Sequence, residues 1–242
     1  MKNEINIFEM EMYYMNNKIL VVVTNEDKYK TNGDNTGLWL GELTHFYDVM
    51  SKANVEMDIV SVNGGKIPLD PLSVSANILD DLTKSYYENE EFMNLLKNTR
   101  KADDVNAENY GAIYFTGGHG TMWDFPDAKR LQQLSSAIYE NDGIVSAVCH
   151  GVGGLLNIKL SDGKLLIVDK NVTGYSNEEE KLANALEKIP FKLEDELNAR
   201  GAKYSKAQNA FTSYVVKDGR LITGQNPQST KEVAENVLKA LK

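Results

Sequence analysis

Apolar positions along the chain follow two alternating rhythms. Residues 18–24 (Lys-Ile-Leu-Val-Val-Val-Thr) are an aliphatic run too dense for a strand with one wet face, which predicts a central strand covered on both sides. A polar loop, 25–36, follows. Across residues 38–53, Trp39, Leu43, Phe46 and Met50 recur at i, i+4, i+7 and i+11, the spacing of a helix with one buried stripe. Residues 56–62 predict a second strand closed by Asn63-Gly64-Gly65. A third, 112–115, runs into Thr116-Gly117-Gly118-His119-Gly120. A helix over 129–141 and a strand over 144–148 come next. Beyond them lie a short strand near 170–173, helices over 177–186 and 191–200, and a hairpin of 214–217 and 221–223 turning at Asp218-Gly219. A helix over 230–241 closes the pattern. Residues 66–109 are the least regular: Pro68 and Pro71 interrupt the start, 90–98 suits a helix, and the segment reads as an insertion or cap.

Strands alternating with helices imply an α/β class fold, a mostly parallel sheet wrapped by helices. Ligands in such sheets bind beyond the carboxyl ends of the strands, so the loops after Thr24, Val62, Phe115 and Val148 are where chemistry is expected. Residues 18–242 read as one domain and 1–17 as an N-terminal tail. That tail mixes acidic, aromatic and methionine residues without the apolar core of a secretory signal. No stretch reaches the roughly 20 apolar residues that span a bilayer. A net charge of −9 without a Lys/Arg run argues against nucleic acid or anionic membrane as partner. A single cysteine makes no intrachain disulfide, which suits a reducing cytoplasm.

That cysteine sits in Ala147-Val148-Cys149-His150-Gly151, between the 144–148 strand and a glycine-rich segment, 151–156, expected to open a helix. Small residues two positions to either side meet the steric demand of a nucleophile elbow. The following helix N-terminus is expected to draw the thiol pKa down. The same pattern also suits a cysteine that merely fills core space. The three histidines are His45, His119 and His150, and none follows residue 150. A glutamine-amidotransferase type of thiol hydrolase needs a later histidine as base, so its usual chemistry is excluded. His150 is then the base nearest the nucleophile, provided the elbow turns it toward the sulfur and a carboxylate orients it.

Glu178-Glu179-Glu180 offers such a carboxylate, although acids also favour any first helical turn. Gly117 and Gly118 follow a strand, so a backbone amide there could join that of His150 as an oxyanion hole. His119 suits loop packing as well as catalysis. Glu42, one turn into the first helix, reads alone as a surface acid. Facing the elbow, it would have to be protonated much of the time, and it could then hydrogen-bond a thiolate and shuttle protons. Dispersed histidines and one cysteine give no zinc-type ligand spacing, and no phosphate-binding glycine motif is present, so neither metal nor cofactor is expected.

Together these pieces resemble the ThiJ/PfpI superfamily, within the class I glutamine-amidotransferase-like fold, and within it the heat-shock chaperone and glyoxalase III subgroup. The matching words are Thr36-Gly37 through Glu42, the Gly117–Asp124 segment, Ala147 through Gly151, Val172 through Glu180, Pro190-Phe191 through Leu197, and Leu221 through Pro227. Val152 departs from the proline common there. The resemblance implies a doubly wound, flavodoxin-like sandwich and a homodimer. It implies Cys149 as nucleophile, His150 and Glu180 as its triad partners (with a register uncertain by one glutamate) and Glu42 as the acid touching the thiol. Gly118 and His150 would supply the oxyanion amides. It further implies cofactor-free conversion of a small reactive 2-oxoaldehyde, such as methylglyoxal, to lactate without glutathione. Protein deglycation, peptide or amide hydrolysis, a holdase binding unfolded proteins and a cysteine redox sensor are the alternatives within the same family.

Overall fold

The computed structural model describes residues 18–242, so the reading of 1–17 as a tail lies outside the described residues. The frame is a seven-stranded sheet. Its strands are β1 (Ile19–Val23), β2 (Met57–Ser61), β3 (Arg100–Lys101), β4 (Ala112–Phe115), β5 (Ile144–Val148), β8 (Val215–Asp218) and β9 (Leu221–Gly224), in the spatial order β3-β2-β1-β4-β5-β9-β8. All neighbours pair in parallel except β8 with β9. As its aliphatic density requires, β1 is central and every residue of it is buried.

Helices cover both faces. Adjacent residues of a strand point to opposite sides of the sheet. Tyr114 stacks on Phe46 of α1 (Leu40–Lys52) with ring centroids 3.7 Å apart, whereas Phe115 meets Phe125 just beyond α4 (Thr121–Asp124) at 5.5 Å. The C-terminal helix α8 (Thr230–Leu241) packs beside α1, and α5 (Lys129–Glu140) lies against β4 and β5. Strand order reverses between β1 and β4, which places the topological switch, and with it the expected site, at their carboxyl ends.

Several expectations are revised. Residues 66–109 hold two short helices, α2 (Asp81–Tyr87) and α3 (Glu90–Leu95), and end by supplying the edge strand β3. Strand β6 (Asn171–Val172) lies where a short strand was expected, but its partner β7 (Lys203–Tyr204), after α7 (Leu193–Ala199), has no signal in the sequence. The hairpin turns one residue later than expected, at Gly219-Arg220, with Gly219 at φ 62°. After the elbow the chain forms a 3₁₀ helix, Cys149–Leu155, rather than an α-helix. Glycines at 151, 153 and 154 weaken the α form, and two of them touch the sheet. A Cβ on Gly151 would fall 2.2 Å from the Thr116 carbonyl oxygen, and one on Gly154 2.8 Å from the Phe115 ring.

Candidate active site

Cys149 closes β5 with φ 56°, a left-handed conformation that a non-glycine residue rarely takes. This sharp reversal brings consecutive side chains toward each other, and the Cys149 sulfur lies 3.3 Å from Nδ1 of His150. On the far side of the imidazole, Nε2 lies 2.7 Å from Oε1 of Glu180. A carboxylate only accepts, so the proton sits on Nε2 and Nδ1 is free to receive one from sulfur.

The acidic run is sorted by the first turn of α6 (Asn177–Leu182). Glu178 points to solvent. Glu179 closes a capping box with Ser176, each side chain bonding the other's backbone. Glu180, one residue on, projects to His150. The register left open by three consecutive glutamates is thus fixed by the cap.

His119 joins from the loop after β4. Its Nε2 lies 3.1 Å from Oε2 of Glu180, and its ring centroid is 4.0 Å from that of His150. Both carboxylate oxygens therefore accept from an imidazole. Burial alone would raise the Glu180 pKa, but the two histidines outweigh it and hold the carboxyl well below its usual range. His150 is shifted down by burial and by the neighbouring His119, so it is neutral at pH 7. Folding brings His119, His150 and Glu180 ligand atoms within 4.8 Å of one another. The expectation of no metal rested on dispersed spacing, which the fold overrides. A cation could sit among these three only by replacing the hydrogen bonds that orient His150.

Glu42 approaches the sulfur from α1. Its Oε2 accepts the Gly117 N–H at 2.6 Å, while Oε1 has no hydrogen-bond partner among the described residues. The carboxyl is fully buried, and burial raises its pKa to about 8 against the opposing pull of the nearby Cys149 thiol and the Gly117 N–H. The carboxyl is therefore neutral at pH 7 and has a proton to offer the sulfur. Burial also raises the Cys149 thiol, and an ionised Glu42 would raise it further. This corrects the expectation of a depressed thiol pKa: the nucleophile is 3% exposed, and only a short 3₁₀ turn follows it.

The glycines divide their work. The Gly117 N–H is spent on Glu42, so this residue positions the acid, and a Cβ there would come within 2.5 Å of Glu42 Oε2. Gly118 has φ 101° and no room for a side chain, since a Cβ would lie 2.1 Å from the Gly37 carbonyl oxygen. The His150 amide faces the sulfur. Behind this loop Asp124, half-buried and with a pKa raised to about 7 by desolvation, accepts from Thr24 Oγ1 and the Asn25 N–H, each at 2.8 Å. It buckles the exit of β1 to α4.

Tyr175 lies within the 172–180 segment, and beyond its place there nothing in the local pattern marks it as a site residue. The structure lays its ring over His150, with centroids 4.3 Å apart. The signal was its place immediately before the Ser176 cap. Tyr29 packs against His119 from the opposite side, at 5.3 Å. Beside it a cleft of about 250 Å³ opens between Tyr29, Trp39, Asp70, Leu72, His119 and Lys188.

Residues 37–240 match the DJ-1/PfpI family. The chain belongs to that family. It is 38% identical over 241 residues to a probable glutathione-independent glyoxalase, hsp3103, of Schizosaccharomyces pombe, covering 87% of this chain and 92% of the relative. Among solved structures, the Rapid Encystment Protein 24 kDa of Francisella tularensis superposes with a TM-score of 0.89 at 43% identity, covering 93% of this chain and 99% of that one. Glyoxalase III of Candida albicans superposes with a TM-score of 0.87 at 32% identity, covering 94% and 98%. This DJ-1/PfpI chain therefore shares both its sheet and nearly its whole length with glyoxalases.

Proposed function

We propose that this protein is a glutathione-independent glyoxalase of the glyoxalase III type, converting methylglyoxal or a similar small 2-oxoaldehyde to the 2-hydroxy acid. The observation that carries the reading is one sulfur flanked on one side by a neutral His150 imidazole, oriented by the ionised Glu180, and on the other by a carboxyl, Glu42, that stays protonated to about pH 8. The names of the relatives support it.

The chemistry follows from those protonation states. A buried thiol is not a thiolate at rest, so addition to the aldehyde carbon is coupled to loss of the sulfur proton to Nδ1 of His150. The imidazolium formed is stabilised by Glu180. Neutral Glu42 gives its proton to the new oxygen, which the amides of Gly118 and His150 would hold, giving a hemithioacetal with Glu42 left as the carboxylate. Removal of the C1 hydrogen as a proton gives an enediol, and its return to C2 gives a 2-hydroxy thioester. The Glu42 carboxylate so formed carries the proton from C1 to C2, the imidazolium protonates the C2 oxygen of the enediol, and Glu42 regains its own proton from the C1 hydroxyl as the thioester forms. Water then cleaves the thioester. One water is added in all, and oxidation of C1 is balanced by reduction of C2, so no external oxidant enters.

Among the described residues no helix is long and apolar enough to cross a membrane. A cytoplasmic homodimer, as the family resemblance implies, belongs to this proposal, and light scattering gives the mass that tests its second half. The deciding assay is lactate formation from methylglyoxal without glutathione, in the native protein and in Cys149→Ala. Turnover abolished by the substitution supports the reading. A native protein that makes no lactate overturns it.

A further inference from the structure

Two features play no part in the chemistry above: the buried carboxylate of Glu179 and the Gly224-Gln225-Asn226-Pro227 segment after β9. Both hold one loop. Residues 205–214, between β7 and β8, carry no regular structure, yet buried side chains grip them along their length. Gln225 Oε1 accepts the Ala207 N–H at 2.8 Å, and Glu179 Oε1 accepts the Phe211 N–H at 2.9 Å. Asn226 Nδ2 donates to the Thr212 carbonyl at 2.7 Å and to Glu179 Oε1 at 2.8 Å, and Ser229 Oγ accepts the Tyr214 N–H at 3.1 Å. Glu179, wholly buried, accepts from the Ser176 N–H and hydroxyl as well. Four donors thus satisfy a carboxylate that has no cationic partner among the described residues. Such an investment fixes a loop in place rather than letting it move.

At the tip stands Phe211, with φ 58°. An aromatic residue in the left-handed region is disfavoured, and it persists only where the surroundings over-determine it. Here the Glu179 carboxylate and the Asn226 amide, on either side of residue 211, do so. Burial does not explain the ring, because Phe211 is 40% exposed. It lies instead 6.4 Å from Tyr175, centroid to centroid, and Tyr175 covers His150. The rings of Tyr29, His119, His150, Tyr175 and Phe211 form a continuous series, each close to the next. Phe211 is its exposed end on the Tyr175 side.

We propose that Phe211 is a specificity-determining residue: a fixed apolar rim, clamped by Glu179, Gln225 and Asn226, that receives the group attached to the reacting carbonyl. This deepens the glyoxalase reading and rests on it. The methyl of methylglyoxal is too small to use such a rim. Carbonyl compounds with an aryl or other broad apolar substituent would, so these are the substrate class the rim favours. One aromatic contact of this kind contributes about five- to tenfold in affinity.

The test compares phenylglyoxal with methylglyoxal in the native protein, Phe211→Ala and Phe211→Trp. The ratio of kcat/KM for phenylglyoxal over methylglyoxal should fall about five- to tenfold in Phe211→Ala and be retained in Phe211→Trp, with the change residing in KM for the aromatic substrate. A second readout needs no turnover: alkylation of Cys149 by 2-bromoacetophenone relative to bromoacetone, where the rate ratio should fall in the same variant. Thermal melting of Phe211→Ala confirms that a folded protein is being compared. A native protein that is alkylated with the expected ratio but makes no hydroxy acid would refute the glyoxalase reading and leave the rim standing. Ratios unchanged by Phe211→Ala in the alkylation assay, or falling equally in Phe211→Trp, would overturn the rim.

Discussion

Glu42 is where a single residue's environment governs the reaction. Its carboxyl is held neutral by burial beside a sulfur that must become negative, so ionisation of the one opposes ionisation of the other. Activity should therefore stay level from pH 6 to 7 and fall as pH rises through about 8, where Glu42 loses its proton. Glu42→Gln should lower kcat about 100-fold and lose that alkaline limb, which a pH–rate profile of both proteins would reveal. On its helix Glu42 was legible only through the family resemblance. The apolar stripe of α1 gave no reason to bury an acid, because its partner, the Gly117 amide, comes from another element altogether. Cys149 and His150 were easier, since the small neighbours an elbow needs lie beside them in the chain. The acid of the relay fell between these cases. The sequence narrows it to three glutamates, and the Ser-x-x-Glu spacing of Ser176 and Glu179 is the local mark that assigns one of them to the helix cap.

At the scale of elements, the site is an assembly of loop ends with no spare volume. Gly118 shows this most sharply, being at φ 101° with backbone from Gly37 where a Cβ would sit. Gly118→Ala should destabilise the fold by about 2–4 kcal/mol, read as a lower urea midpoint with an unchanged slope, and should reduce turnover of whatever remains folded. Long elements were readable because periodicity accumulates over many residues: β1, α1, α5, β5 and α8 lie where the pattern put them. Strands β3 and β7 have two residues each, too few for a period to register. Helix α2 carried a cue in Asp80, whose side chain caps the Thr83 N–H, but Pro68 and Pro71 upstream masked the segment as irregular. The 3₁₀ turn after Cys149 escaped for another reason. Its geometry is set by contact with the Thr116 carbonyl and Phe115 ring, and tertiary crowding leaves no local trace beyond a run of glycines.

For the whole molecule, the two carboxyls that the fold holds neutral set how stability varies with pH. Glu42 and Asp124 are raised to about 8 and about 7 in the fold, against ordinary values near 4 in an unfolded chain. Between those limits the native protein binds more protons than the unfolded one, so stability is greatest at mildly acidic pH and declines as pH rises toward 8. Glu180 acts in the opposite sense, its stabilisation being lost only as pH falls below the ordinary carboxyl range, so the two windows do not overlap. Melting temperatures at pH 5.5 and 8.5 should differ in favour of the lower pH, and Asp124→Asn should narrow the gap. An equal or higher melting temperature at pH 8.5 would mean that neither carboxyl is held neutral by the fold. The parallel sheet and its switch point were legible as a class from alternation alone. Strand order was not, because neighbours in a parallel sheet are distant in sequence and leave no mark on the segments they join.

The left-handed backbone at Cys149 has a historical consequence. Glycine is the residue to which that conformation comes without penalty, and it would also lift a buried thiol away from Glu42. A lineage released from catalysis would find Cys149→Gly an easy step toward a sturdier protein, and that variant should melt above the native chain at pH 8.5 while forming no lactate. Cysteine at this corner is thus what selection for reactivity would maintain against drift toward stability.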